Sequence, residues 1–311
     1  MDLFDIFKKK VPESKIIIKE RNAVEIAEFG KKRELIFSEL KEKNIIKSLR
    51  LKASRGATSL TGSKFGGTPY FPKNLKYPHN FKNEPLRLLA QLNFGELPKL
   101  DGFPHKGILQ FYVNEGEFWG LDFENPPEIQ NNYRVIYHEN ILEGDEVEHD
   151  LPKFSSVRGS LPFVGEFSVS AKYEDYPITI NDFRFAETFM EIYKKHINTS
   201  ENTFFDLDDE IQNDISDYFF DGRQNAFPQE GHRICGYPLF CQEDLRGYGS
   251  DYEAHTVLLF QMDSDGDIEE AENGKWEKIA WGDGGVANFF ITPDALNKLD
   301  FSDVLYNWDC Y

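Results

Sequence analysis

Two stretches of the chain spell the same three-part phrase, and a sequence that repeats itself this way is constrained to fold as related units. The first stretch runs "GTPYF" from Gly67, "LLAQLN" from Leu88 and "GILQFYV" from Gly107. The second runs "GYPLF" from Gly236, "LLFQMD" from Leu258 and "GVANFFI" from Gly285. Gly67 with Gly236 and Gln91 with Gln261 keep a near-constant offset, while the third part drifts by several residues, as a lengthened loop in the second copy requires. Each copy is too short to bury a stable core alone, so the two are expected to share one.

Periodicity assigns the elements around the repeat. "LRLLAQLNF" predicts a central strand with Leu88, Ala90 and Leu92 on one face and Leu89, Gln91 and Asn93 on the other. "TVLLFQMD" repeats the arrangement, with Leu258, Phe260 and Met262 opposite Val257, Leu259 and Gln261. "GILQFYVN", "YRVIYH" and "NFFIT" read as further strands. Residues 20–50 carry apolar positions at helical spacing through Val24, Ala27, Leu35, Ile36, Leu40 and Ile46, with a break or kink expected at Gly30. "NDFRFAETFMEIYKKHI" and "DLDDEIQNDISDYFF" read as amphipathic helices, the second capped by Asp206. The expectation is a β-rich α+β fold. Residues 1–56 form an N-terminal helical arm and 57–311 an internally duplicated domain, with copies at about 57–140 and 231–311 and a helical insert at about 181–222.

Charge narrows the partners. The chain holds 35 Lys and Arg against 54 Asp and Glu, for a net charge of −19. Positions 1–56 lean basic, so the body is strongly acidic, repels phosphate backbones and excludes nucleic acid as a ligand. It can steer basic proteins or cations toward itself. No apolar run is long enough to cross a bilayer, so no stable membrane insertion is expected, and the short apolar leader at residues 3–7 is expected to dock on the body. The three cysteines, Cys235, Cys241 and Cys310, form no disulfide framework, which favours a reducing, cytoplasmic location.

Several groups could carry chemistry. Gln91 and Gln261 sit in strands that otherwise read as buried, so each amide must brace its own "GxPxF" turn or face a groove between the halves. From Gln261, "QMDSDGDIEEAE" partly fits a calcium loop through Asp263, Asp265, Asp267 and Glu272, although Gln261 stands where the first ligand belongs; an acidic hairpin without bound metal is preferred. His232, Cys235, Cys241 and His255 lack regular zinc spacing. The "WGDGG" loop, with Trp281 and Asp283, is the most site-like segment, and Asp244 and Arg246 in "QEDLRGYG" could face it. No nucleophile elbow, phosphate loop or zinc-protease motif occurs.

The phrases "SKFGGTPYFP", "LLAQLNF", "GHRICGYPLF", "LLFQMDSD", "WGDGGVANFFI" and "DFSDVLYNWDCY" together resemble the signature of the YwqG-like bacterial proteins, a family of unknown function. The resemblance implies a compact, internally duplicated α+β fold, a cytoplasmic location and an association with bacterial toxin–immunity systems. It supplies no catalytic residues. The expected function is therefore non-catalytic binding of a basic partner protein through acidic loops around Asp244, Asp263, Asp265 and Asp283, without a cofactor and with the oligomeric state left open. The alternative is a hydrolase-like or metal-dependent enzyme at the "WGDGG" loop, pairing Asp283 with Asp244.

Overall fold

The computed structural model describes residues 23–154, 159–220, 230–265 and 279–311. Asp267, Glu272 and the apolar leader lie outside them. The elements follow the order α1 (Ala23–Lys43), β1 (Ile45–Arg55), β2 (Lys64–Gly66), β3 (Arg87–Asn93), β4 (Ile108–Val113), β5 (Tyr133–His138) and β6 (Glu166–Pro177). Then come α2 (Phe185–His196), α3 (Asp209–Phe220), β7 (Arg233–Ile234), β8 (Val257–Asp263), β9 (Val286–Ile291), α4 (Pro293–Asn297) and β10 (Val304–Asp309). The fold is a β-rich α+β architecture.

One antiparallel sheet of ten strands runs β10-β9-β8-β7-β1-β6-β2-β3-β4-β5. Its order is pseudo-symmetric about the central β1–β6 pair. On one side β1 leads into β7, β8, β9 and β10; on the other β6 leads into β2, β3, β4 and β5. Each copy thus borrows its innermost strand from the other half of the chain. The borrowed strands are held alike, since Leu51 N donates to His232 O at 2.9 Å and Val169 N to Ser63 O at 3.0 Å.

The inner faces of the two halves pack on each other. Phe111 of β4 meets Phe260 of β8 and Phe289 of β9 with ring centroids 4.9 and 4.7 Å apart. The sheet's two ends also approach, with Tyr133 Oη donating to Val304 O at 2.5 Å. One large apolar cluster therefore spans both copies, as expected for units too small to fold alone. A second cluster joins α1, α2 and α3 to Ile46, Tyr176 and Ile178 at one end of the central strands.

Three sequence expectations are corrected. Helix α1 runs unbroken through Gly30 and stops at Lys43, and residues 45–55, read as helical up to 50, form the central strand β1. Leu49 and Leu51 point to the core while Arg50 and Lys52 lie on the other face, a period of two that the short apolar run concealed. Second, a β-bulge between Leu88 and Ala90, repeated between Leu258 and Phe260, shifts the register. Leu88 and Leu258 therefore leave the inner core and join small outer clusters, while Leu89 and Leu259 turn inward. Third, Asp206 closes a preceding turn with Thr203, and it is Asp208 that caps α3 by accepting from Glu210 N at 3.0 Å. Among the described residues no helix is long and apolar enough to cross a membrane.

Candidate functional site

The repeat's two buried glutamines each brace their own turn. Gln91, wholly buried on β3, accepts from Tyr70 N at 2.9 Å inside its own "GTPYF" turn and donates to Leu60 O and Gly62 O, each at 2.9 Å. Gln261, its counterpart on β8, accepts from Leu239 N inside "GYPLF" and donates to Gly231 O, each at 2.8 Å. An amide so satisfied at the root of a turn fixes the turn's position over the sheet. The two lie in separate halves and are not brought together.

Asp244 and Arg246 do come together, in a buried ionic cluster that includes the start of the helical insert. Arg246 is wholly buried and grips Asp244 with two parallel hydrogen bonds at 2.9 and 2.7 Å. The same guanidinium reaches Asp182 at 3.1 Å and lies 4.0 Å over the ring of Phe290 on β9. Asp182 is gripped in turn by Arg184 at 2.6 and 2.7 Å, and Asp244 accepts from Phe183 N at 3.1 Å. Burial works against the charge on Asp182, but the hydrogen bonds from Arg184 and the charges of Arg246 and Arg184 outweigh it and hold the carboxyl below its ordinary range. The cluster locks the second copy's outer loop to the root of α2.

The "WGDGG" turn points its residues in opposite directions. Trp281 is wholly buried and packs between Trp119 and Trp308, at 5.3 and 5.8 Å, in the seam between the halves. Asp283 is exposed at the tip, away from that aromatic seam. Gly285 closes the turn, where an added Cβ would stand 2.0 Å from Asp309 O. The described start of the acidic stretch divides similarly. Asp263 is buried and accepts from Gly231 N, with burial raising its carboxyl, whereas Asp265 is 54% exposed beside His232.

The thiols and imidazoles are dispersed. Burial pushes the Cys241 thiol up to about 12 and raises Cys235, so neither is poised as a thiolate. His232 accepts from Asp263 N at 3.1 Å, and His255 pairs with Asp303 at 3.1 Å. Among the described residues no three His, Cys, Asp or Glu side chains converge to hold a metal.

What remains at the surface is charge, and it is unevenly divided. The described surface of the second copy exposes Glu243, Asp251, Glu253, Asp265, Asp283, Asp294, Asp300 and Asp303, against Lys298 as its one exposed lysine or arginine. The first copy balances Glu84, Glu96, Asp101, Glu117, Glu124 and Glu139 with Lys73, Lys76, Lys82, Lys99 and Lys106. Of the acidic residues singled out in the sequence, Asp265 and Asp283 belong to this exposed set, while Asp244 and Asp263 are turned inward. Sequence reasoning missed Glu243, Asp251 and Glu253 in the outer loop, although the run of acids in "CQEDLRGYGSDYEAH" signals them.

Among curated proteins none is similar enough to the chain to stand as a relative. The family model described as a domain of unknown function, DUF1963, matches residues 63–310, covering both copies of the repeat and the insert between them. The chain belongs to the DUF1963 family.

Proposed function

We propose that the chain is a non-catalytic binding protein whose acidic second copy recognises a basic partner protein. The observation that carries this reading is the surface asymmetry between the copies among the described residues, where exposed carboxylates outnumber the one exposed lysine on the second and charge is balanced on the first. Such a surface raises the encounter rate with a cationic partner and repels acidic ones. The inward commitment of Asp244, Arg246, Gln91 and Gln261 supports binding over a hydrolase-like site, because Asp244 chelates Arg246 while Asp283 stands at an exposed turn tip. An acid–base pair needs two carboxyls within reach of one substrate. On this proposal the protein works in the cytoplasm without a cofactor, in an immunity-like role that the likeness to YwqG-like proteins implies.

Capture on the immobilised full chain at low and high salt, with identification of what is retained, tests the proposal. A basic protein is expected to bind at low salt and to associate more slowly with the Asp251→Asn, Glu253→Gln, Asp283→Asn variant. Salt-insensitive association, or association that the three neutralisations leave unchanged, would overturn it.

A further inference from the structure

We infer that the loop joining β4 to β5 carries an aromatic anchor for the partner, built to receive arginine side chains of a basic protein. The inference rests on the proposed reading of a basic partner and adds to it an apolar component supplied by the first copy. Phe118 and Phe123 are 50% and 72% exposed, and their rings stand 5.2 Å apart and nearly perpendicular. A single exposed phenyl ring is ordinary. Two in contact on one loop, rimmed by polar residues, form a patch of the kind that marks contact sites, where aromatic side chains supply most of the binding energy.

The loop is held in this posture. Trp308 Nε1 donates to Phe118 O and Tyr306 Oη to Trp119 O, each at 2.7 Å, so two side chains of β10 clamp it across the seam between the copies. Trp119 takes a φ of +40°, a left-handed conformation costly for a bulky residue, and these bonds sustain it while Phe118 stays outside. Asp122 accepts from Glu124 N at 3.0 Å and from Asn125 Nδ2 at 2.9 Å, which fixes the turn that displays Phe123. A surface fixed in advance loses little freedom when a partner binds.

Charge identifies the occupant. From Asn114 to Asn132 the chain has five acidic residues and no lysine or arginine. Glu117 and Glu124, next to the two phenyl rings in sequence, are exposed and meet no cation among the described residues. The WGDGG turn borders the same patch, since a Cβ added to Gly282 would stand 3.3 Å from the Trp308 ring. The chain's own cations cover other rings. Phe81, 64% exposed, has Lys82 Nζ 5.3 Å over it, and Phe167 has Arg55 at 4.9 Å, whereas among the described residues no lysine or arginine stands over Phe118 or Phe123. An arginine from a partner meets both demands, laying its planar cation on a phenyl face and turning its remaining donors to the carboxylates. A second copy of the chain, at a net charge of −19, is repelled.

The test titrates the full-length protein with a fluorescently labelled peptide of alternating arginine and serine, read by anisotropy. Phe118→Ser with Phe123→Ser is expected to weaken binding about tenfold, and Phe123→Ser alone about threefold, while Phe81→Ser changes it less than about twofold. Because the rings are exposed, thermal melting is expected to stay nearly unchanged, which separates a lost contact from a disturbed fold. Binding that the phenyl substitutions leave unchanged, or weaken no more than Phe81→Ser does, would overturn the anchor. So would absence of saturable binding. The proposed acidic face survives either result and fails only if the immobilised chain retains no basic protein. Replacing Lys8, Lys9 and Lys10 by glutamine is expected to leave the peptide's dependence on the two rings as it was; tightening that requires Phe118 and Phe123 would assign the patch to the chain's own basic residues and overturn the inference.

Discussion

The two copies place amides at the same points of their sheets and then surround them differently. In the first, Gln110 lies opposite Gln91, donates to Gln91 Oε1 at 2.8 Å and accepts from Tyr112 Oη at 3.0 Å and His138 Nε2 at 2.8 Å. In the second, Asn288 lies opposite Gln261, and Phe290 and Asp309 hold the positions of Tyr112 and His138. Asn288 Nδ2 still donates to Leu239 O at 2.7 Å, but its Oδ1 has lost both donors and is buried without a partner. Where the first copy closes a polar network on itself, the second presents the flat ring of Phe290 to Arg246, and through it to Asp182 and the helical insert. The two copies share one arrangement of strands, and the second couples it to the helical insert and carries the more acidic described surface.

The largest expected effect tests that coupling. Arg246→Met leaves Asp182 and Asp244 buried without one of their cations, and loss of about 3–5 kcal/mol is expected from urea unfolding. The buried cation of the first copy, Lys64, donates instead to the carbonyls of Ser59, Leu60 and Thr68. Lys64→Met is expected to lose about 1.5–3 kcal/mol, since neutral acceptors are left behind and not charges. Combining Arg246→Met with Asp182→Asn and Asp244→Asn is expected to recover part of the loss. Equal losses at Arg246 and Lys64 would remove the distinction between a coupled and a self-contained copy.

The parts of this contrast that repeat in the sequence were legible, and the parts made by tertiary pairing were not. β3, β4, β5, β8 and β9 announce themselves as apolar runs. The central β1 and β6 do not, because β1 alternates Leu49, Leu51 and Ala53 with Arg50, Lys52 and Ser54, and half of each strand faces outward. Their exchange between copies depends on pairing partners far away in the chain. The bulges that reverse Leu88 and Leu258 are hydrogen-bond events without a glycine or proline to mark them. Asp244 and Arg246 are neighbours whose pairing could be read locally, but their link to Asp182 could not. Trp281 and Asp283 are adjacent in sequence and diverge in space because a tight turn sends one inward and one out.

A smaller difference is expected at the amides themselves. Gln91 takes part in four side-chain hydrogen bonds and Gln261 in two. Gln91→Leu is therefore expected to lose about 3 kcal/mol and Gln261→Leu about 1–2 kcal/mol, measured as shifts in the urea midpoint at constant slope. If Gln261→Leu proves the costlier change, the second copy's reduced network carries more than its hydrogen bonds show.

The finest distinction lies at equivalent positions 138 and 309, which titrate in opposite senses. Burial lowers His138 from 6.5 to about 4, so the fold favours its neutral ring. That contribution is present above about 6.5 and is lost as pH falls toward 4. Burial raises Asp309 to about 6, against two backbone hydrogen bonds from Cys241 and Gln242 that favour the ion. Its contribution is present below its unfolded value of about 3.9 and is lost as pH rises through 6. Between about pH 4 and 6 the two slopes oppose each other, each reaching up to about 1.4 kcal/mol per pH unit, and largely cancel. His138→Gln is expected to leave a protein that loses stability as pH rises across this window, and Asp309→Asn one that gains it, as urea midpoints at three pH values would show. Tilts of the same sign would mean that the titration belongs to other groups. Opposite tilts would mean that divergence exchanged a group that must stay neutral by shedding a proton for one that does so by keeping it, within an unchanged register of strands.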